Sequence, residues 1–475
     1  MSDRVKHVVV IGGGITGLAA AHRLLELRKQ NEFNVTLLES SSQLGGVIQT
    51  TKQNGFLIES GADSFISEKP AALELARRLG LESRLIETNQ QHRRSFIVRG
   101  GKLRPVPEGF QLMAPARFWP FVTTDIFSWS GKARMALEPL IPRRADANGV
   151  DDETLAAFVR RRLGREAFER MAQPMIGGIY TADPEKLSLR ATLPRFLEME
   201  RHHGSVLRAL WRQRKANRST GVSGARYSLF MSFDRGMQVL IDALAERLRA
   251  VARLNARVSS LRRNEERNGW TIQLEDGSLI QADLVCLAVP AFTAASLLAN
   301  VKTEIATLLN EIPYASTATT NLGYRRADVA HLLDGFGFVV PFIENRSVLA
   351  CTFSSTKFPG RAPDSHVLLR AFAGGALQPE IFALSESDLV DRVCNDLRDL
   401  LGITKPPLFT LVKKWERSMP QYHVGHLDRV SKIRAELQSL PGFYVAGNSY
   451  DGAGVPDCIR SGETAAEILI TDLGV

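Results

Sequence analysis

His7-Val8-Val9-Val10-Ile11 runs directly into Gly12-Gly13-Gly14-Ile15-Thr16-Gly17, and Leu18 to Leu27 continues with helical spacing. The first five residues are apolar without a break, as a parallel strand buried on both faces requires. Gly12, Gly14 and Gly17 stand at the spacing G-x-G-x-x-G. The first glycine permits the tight turn, the second lets backbone approach a pyrophosphate, and the third lets helix and strand pack closely. The start of the helix, at Ile15 and Thr16, then offers unpaired N–H groups to phosphate. Val35-Thr36-Leu37-Leu38 reads as the next strand and ends at Glu39, followed by Ser40. An acid there meets ribose hydroxyls and disfavours the extra phosphate of NADP. Glycines alone mark a turn. Strand, glycines, helix, second strand and acid in that order mark a dinucleotide site.

A second glycine-rich segment lies at the far end of the chain. Phe443-Tyr444-Val445-Ala446-Gly447-Asn448 leads into Gly452-Ala453-Gly454-Val455-Pro456-Asp457, with Cys458 and Ile459 opening a helical run. The chain is expected to return to its first sheet and lay another helix N-terminus against the same ligand. A dinucleotide gripped at both halves is FAD. The expected class is therefore α/β, with a Rossmann-like FAD domain built from separated pieces of chain.

Leu44-Gly45-Gly46 and Gly55-Phe56-Leu57-Ile58-Glu59-Ser60-Gly61 resemble segments of the flavin-containing amine oxidase and protoporphyrinogen oxidase superfamily. So does the stretch Met171-Ala172-Gln173-Pro174-Met175-Ile176-Gly177-Gly178-Ile179-Tyr180-Thr181-Ala182-Asp183-Pro184, which is similar to a hallmark of protoporphyrinogen oxidases and flavin-type coproporphyrinogen III oxidases. The resemblance implies a GR2-type FAD domain, like that of p-hydroxybenzoate hydroxylase, with a mixed-sheet substrate domain and a helical membrane-associating subdomain. It implies cofactor contacts from Gly61, Ala62, Asp63 and Ser64, from Val258 beside the adenine, and from Trp415. Relatives carry a basic residue before the Leu-Gly-Gly triplet where this chain has Gln43. The expected organisation is FAD domain at 1–90, 227–292 and 419–475, a basic helical subdomain at 91–226, and a substrate domain at 293–418.

The composition fits an ordinary globular chain of 475 residues, 44% hydrophobic and 23% charged, with a net charge of +9. Nothing in the first residues reads as a signal peptide and no apolar run reaches about 18 residues. Four cysteines without C-x-x-C spacing argue against a zinc site and a secreted disulfide framework. A cytoplasmic protein is expected, peripheral on the membrane face if it meets lipid at all. Arg93 to Arg226 holds 25 Lys and Arg against 13 Asp and Glu, leaving 35 against 38 elsewhere, so the basic excess belongs to the middle. There it is interleaved with Phe110, Met113, Phe118, Trp119, Phe121, Phe127, Trp129, Met135 and Leu140. These suit either an anionic membrane interface or the core of a helical unit. No nucleic-acid motif accompanies the charge.

Between Ala252 and Pro290 the sequence predicts a short strand at Ala256-Arg257-Val258, a hairpin about Asp276-Gly277 and a buried strand over 282–289. Residues 316–410 read as an antiparallel sheet over the flavin. By resemblance Leu322, Val339 and Phe353 press on the substrate rings, and Gly177 and Gly178 approach them. Plant and mitochondrial relatives place a propionate-gripping arginine where this chain has Ser95, just after Arg94. His423 and His426 read as structural. The resemblance implies a porphyrinogen oxidase of heme biosynthesis, converting protoporphyrinogen IX or coproporphyrinogen III to the porphyrin with molecular oxygen and releasing hydrogen peroxide. The flavin carries the chemistry, so no catalytic side chain and no metal is expected. Partners expected besides substrate and oxygen are an anionic membrane and a second copy of the chain as a homodimer. Two other readings stay open: an amine oxidase or carotenoid desaturase, and a non-enzymatic escort of the GDP-dissociation-inhibitor kind. Glu39 and the intact C-terminal glycines speak against the escort.

Overall fold

The computed structural model describes residues 5–29, 32–111, 113–144, 152–219 and 230–473. Lys6–Ile11 lies at the middle of a five-stranded parallel sheet. Its order is Ala252–Arg253, Phe33–Leu38, Lys6–Ile11, Leu284–Leu287 and Phe443–Val445. Val8, Val9 and Val10 are wholly buried because both faces are covered. Val8 and Val10 join helices Ile15–Leu27, Gln238–Leu248 and Val455–Leu473 in one core. Val9 and Ile11 join helices Ala291–Leu298, Thr303–Asn310 and His426–Leu437 in another.

The two helices that follow the glycine segments pack on each other. A Cβ on Gly462 would lie 2.1 Å from the Thr16 carbonyl oxygen, so glycine is what permits the crossing. The C-terminal strand and helix thus return to the first sheet, as the sequence implied.

The strand expected at Ala256–Val258 is displaced. The edge strand of the parallel sheet is Ala252–Arg253, and the chain then turns at Asn255, whose φ is 53°. Ala256 reaches back to donate to the Glu39 carbonyl at 2.8 Å. Val258 instead opens an antiparallel strand, Val258–Asn264, paired with Gly269–Leu274, which in turn pairs with Leu279–Ala282.

A seven-stranded sheet stands beside the parallel one, in the order Phe409–Pro420, Tyr314–Arg325, His366–Gly374, Val348–Phe353, Gly337–Val339, Phe96–Arg99, Lys102–Pro105. Its neighbours are antiparallel except Gly337–Val339 with Phe96–Arg99, which run parallel. Residues 96–105, counted above with the helical subdomain, therefore belong to this sheet. Their pairing partners are strands far along the chain, which a segment's own pattern cannot reveal. The boundary expected at 226–227 lies outside the described residues.

Beyond a short ribbon of Phe110–Gln111 with Ala114–Pro115, the described remainder of the basic region is mostly helical, cut short by prolines as the sequence suggests. Helices Leu155–Arg162, Gln173–Tyr180 and Pro194–His203 share a core with Phe121, Phe127 and Met135. Arg162 and Glu138 are wholly buried at its centre and ion-paired. Glu138 also accepts from the Val206 and Leu207 amides at 3.0 and 3.2 Å, and Arg162 reaches Glu200 at 3.4 Å. Removing either partner strands a buried charge, at a cost of about 3–5 kcal/mol. No helix among the described residues is long and apolar enough to cross a membrane.

Candidate active site

The glycines of the N-terminal segment do not all lack a side chain for the same reason. Gly12 has a φ of 109°, and a Cβ there would lie 2.3 Å from the Ala288 carbonyl oxygen. A Cβ on Gly17 would lie 1.8 Å from the Gly12 carbonyl oxygen. Gly14 differs: a Cβ there meets no protein atom within 4 Å. No packing contact among the described residues requires glycine there. Gly45 bridges to Gly14, and Gly46, with φ 59°, lies against it.

The C-terminal segment borders the same space. Gly447 has a φ of 135°, and a Cβ there would find only Thr16 Oγ1, at 4.0 Å. Glu39 holds the turn from the other side, its Oε2 accepting from the Gly13 amide at 2.7 Å and its Oε1 from the Ser41 amide at 2.7 Å. The Ser40 hydroxyl donates to the same Oε1 at 3.2 Å. The two ends of the chain therefore bound one open cradle with an acid at its rim. The side chains of Ile15, Cys458 and Ile459 point into the core, so only their backbone is available to a ligand. Burial pushes the Cys458 thiol up to about 12, which keeps it protonated and unreactive. Asp457, two residues into the C-terminal helix that begins at Val455, pairs with Lys69 at 2.6 Å.

The stretch Glu59 to Ser64 forms the cradle's third wall. A Cβ on Gly61 would collide with the Val47 carbonyl at 1.6 Å. The Ser60 carbonyl accepts from Trp415 Nε1 and Thr319 Oγ1, both at 3.0 Å. The Gly61 carbonyl accepts from Arg370. Asp63 pairs with Lys357 at 2.9 Å, and Lys357 also donates to Ser64 Oγ at 3.1 Å. Burial raises Asp63, but Lys357 and Arg370 beside it outweigh that and hold its carboxyl well below the usual range. Burial also raises Glu59, to about 7, against hydrogen bonds from Thr50 and the Met237 amide. Arg370, Lys357 and Arg361 were missed from sequence. For Arg370 a signal existed, since an arginine interrupts the apolar run His366-Val367-Leu368-Leu369-Arg370-Ala371-Phe372. Lys357 and Arg361 leave no such mark.

Strand parity decides which substrate residues face the cradle. Thr319 and Asn321 bond to the Glu59–Ser60 backbone, and Arg370 sits opposite Asn321 in the ladder. The same face carries Thr352 and Phe372, and Ala350, which registers with both Phe372 and Val339. Gly178, on the facing helix Gln173–Tyr180, would place a Cβ 3.4 Å from Val339 and 4.0 Å from Ala350. Gly178 is thus brought to Val339, whereas a Cβ on Gly177 would meet Gln173 Nε2 of its own helix at 3.4 Å. Leu322 and Phe353 are not brought there. Both are wholly buried on the opposite face, in the core under helix Glu386–Leu401, because each sits one residue out of phase with the site. Ser95 continues the face of Ile97, which registers with Val339, whereas Arg94 follows Phe96 to the other side and pairs with Asp334 at 3.3 Å. Neither is within a strand, which begins at Phe96 rather than at Arg93. Val258 lies half-buried near the Glu39 rim.

His426 is buried and stacked on Tyr422, ring centroids 4.4 Å apart. Burial lowers it to about 4, so it is neutral near pH 7. Tyr422 donates to the Asn448 carbonyl, which ties this stack to the cofactor segment. The histidine is a packing plate, as the sequence reading had it.

The family model for flavin containing amine oxidoreductases matches residues 15–470. The chain belongs to the flavin-containing amine oxidoreductase family. It is a flavoprotein oxidoreductase whose cofactor is FAD, and the cradle fits that group: open space at Gly14, a second glycine at Gly447, and Arg370 Nε buried without a partner at the third wall. The chain is 35% identical to coproporphyrinogen III oxidase of Bacillus subtilis, with both chains covered in full. It is 31% identical to chloroplastic protoporphyrinogen oxidase 1 of Arabidopsis thaliana, over 97% of this flavoprotein and 87% of the relative. A solved structure from Exiguobacterium sp. that carries a provisional protoporphyrinogen oxidase name superposes with a TM-score of 0.86 at 31% identity, covering 98% and 99% of the two chains. Reduced UDP-galactopyranose mutase, at 16% identity and a TM-score of 0.72, shares the fold alone.

Proposed function

We propose that this flavoprotein oxidises a porphyrinogen to the porphyrin in heme biosynthesis, in three two-electron steps, with coproporphyrinogen III preferred over protoporphyrinogen IX. The end-to-end match to a coproporphyrinogen III oxidase carries the reading. The geometry supports it: Gly178 lets helix Gln173–Tyr180 pack directly on Val339 and Ala350, at one end of the sheet face that carries Thr352, Arg370 and Phe372. Ser95 at the edge of the same face leaves room where other relatives of the resemblance carry an arginine. Bound FAD supplies the hydride acceptor for each step. The protein's part is to hold the loop Ser60–Ser64 through Trp415, Arg370 and Lys357, and to exclude competing groups. Molecular oxygen takes the electrons and leaves as hydrogen peroxide. A steady-state assay under air, reading porphyrin fluorescence with both porphyrinogens, tests this. A higher kcat/KM for coproporphyrinogen III is expected. Preference for protoporphyrinogen IX overturns the substrate assignment, and oxidation of neither overturns the function.

The helical unit supports a peripheral contact with anionic membrane. Phe118, Trp119, Trp129 and Leu140 are 63%, 73%, 74% and 73% exposed, while Phe121, Phe127 and Met135 form the core. The aromatic run therefore divides into core residues and exposed rings. Rings of this kind sit at headgroup depth; Lys132, 4.4 Å over the Trp129 ring, is itself buried and donates to the Val122 carbonyl at 2.6 Å, so it fixes the ring and does not face solvent. Arg134 is likewise spent on the Arg161 and Arg162 carbonyls. Trp119→Ser with Trp129→Ser is expected to release the protein from phosphatidylglycerol-containing vesicles in a sedimentation assay. Unchanged sedimentation dismisses the contact.

A further inference from the structure

Three cations converge behind the loop Gly61–Ser64. Arg370 is 4% exposed, comes from strand His366–Gly374 and donates to the Gly61 carbonyl. Lys357 ends the short helix Ser354–Lys357 and binds Asp63 and Ser64 side chains. Arg361, 2% exposed, binds Ser232 Oγ and the Phe233 carbonyl, each at 3.0 Å. Three carboxyls face them: Asp63, Glu59 and, beside Arg361, Asp234, which is itself paired with a fourth cation, Arg84, at 2.9 Å. Asp63 is ionised, whereas burial keeps Glu59 largely protonated up to about pH 7. The buried charge behind the loop is therefore positive on balance. Arg370 Nε has no hydrogen-bond partner, so part of that charge is not spent inside the protein. A buried guanidinium is retained against its desolvation cost only where something compensates it. Gly61 and Ser60 supply carbonyl dipoles, not a counter-charge.

We propose that Arg370 and Lys357 are positioning residues that bias the cofactor site toward the reduced, anionic flavin by holding surplus positive charge behind the Gly61–Ser64 loop. The inference rests on that loop bordering the flavin, as the reading of the site above has it. A fixed cation in a water-poor site stabilises developing negative charge and needs no rearrangement to do so. It favours binding of the reduced form over the oxidised form, and that ratio of affinities is a shift in midpoint potential. Asp63 acts in the opposite sense, partly cancelling the field while it anchors Lys357.

The test is the midpoint potential of the purified holoenzyme, equilibrated with reference dyes. Arg370→Met and Lys357→Met are each expected to disfavour the reduced flavin about tenfold, close to 30 mV downward for a two-electron couple. Asp63→Asn is expected to move the potential upward by a similar factor, and Arg370→Lys to restore most of the Arg370→Met loss. Opposite signs separate an electrostatic role from a structural one, because damage to the loop would shift all variants alike. Shifts of one sign, or none, overturn the proposal. Should Arg370→Met lose its flavin, Lys357→Met and Asp63→Asn still decide. A wild-type protein without a flavin spectrum would instead reject the reading of the site itself.

Discussion

Glu59 makes a stability prediction with a definite sign. Its carboxyl is 4% exposed and held by Thr50 Oγ1 at 2.7 Å and the Met237 amide at 2.8 Å. Burial is the larger influence and lifts the folded value from 4.5 to about 7. The folded state thus prefers the protonated form. Below the unfolded value the preference costs nothing and stability is intact; as pH rises through the folded value, the ionised carboxylate must be carried in the core and stability is lost. Integrating between about pH 5 and about pH 8 gives a loss of about 2.5 kcal/mol from this one group. Glu59→Gln keeps the shape and cannot ionise. Its rearranged hydrogen bonds cost about 1 kcal/mol at every pH. Urea unfolding of both proteins across that range, followed by tryptophan fluorescence, should show wild type losing about 2.5 kcal/mol relative to Glu59→Gln, with the variant the more stable at the alkaline end. Parallel pH profiles would refute the argument that Glu59 titrates late because it is buried.

Three further predictions concern the glycine turn and the substrate face. Gly14→Trp should leave the apo fold standing, since a Cβ there meets no protein atom within 4 Å, yet abolish FAD retention; a yellow, active variant would refute it. Gly17→Ala should do the reverse, lowering stability by about 1–3 kcal/mol through collision with the Gly12 carbonyl, as a thermal melt of the apoprotein would report. Ser95→Arg should change the ratio of kcat/KM for the two porphyrinogens by about tenfold, the worth of one charge-assisted hydrogen bond. An unchanged ratio means the position does not read propionates.

The parallel sheet was legible where its strands carry apolar runs, as at Val8–Ile11, Leu284–Leu287 and Phe443–Val445, whereas the edge strand Ala252–Arg253 has no such run and was expected a few residues too late; the two glycine segments stood out because strand, glycines and helix follow in that order. The face of the seven-stranded sheet was legible only in part. Val339 and Gly178 do come together, but Leu322 and Phe353 lie one residue out of phase with Val339, and a one-residue error moves a side chain to the other side of a sheet. Periodicity within a strand shows which residues share a face; it does not show which of the two faces meets the ligand. That information resides in distant partners, here the bonds from Thr319 and Asn321 to the Glu59–Ser60 backbone. Lys357 was invisible for a similar reason. Its significance comes from Asp63, 294 positions away, and no local pattern joins them. The basic aromatic segment was ambiguous because its rings divide, with Phe121 and Phe127 inside and Trp119 and Trp129 outside, and composition does not say which go where.

Amide hydrogen exchange on the apoprotein, before and after FAD is added, tests the enclosure of one cofactor by both ends of the chain most directly. Slowed exchange is predicted in residues 12–17 and in residues 447–457 together, at the same FAD concentration. Protection confined to the N-terminal glycines, with the C-terminal segment exchanging as before, would contradict it.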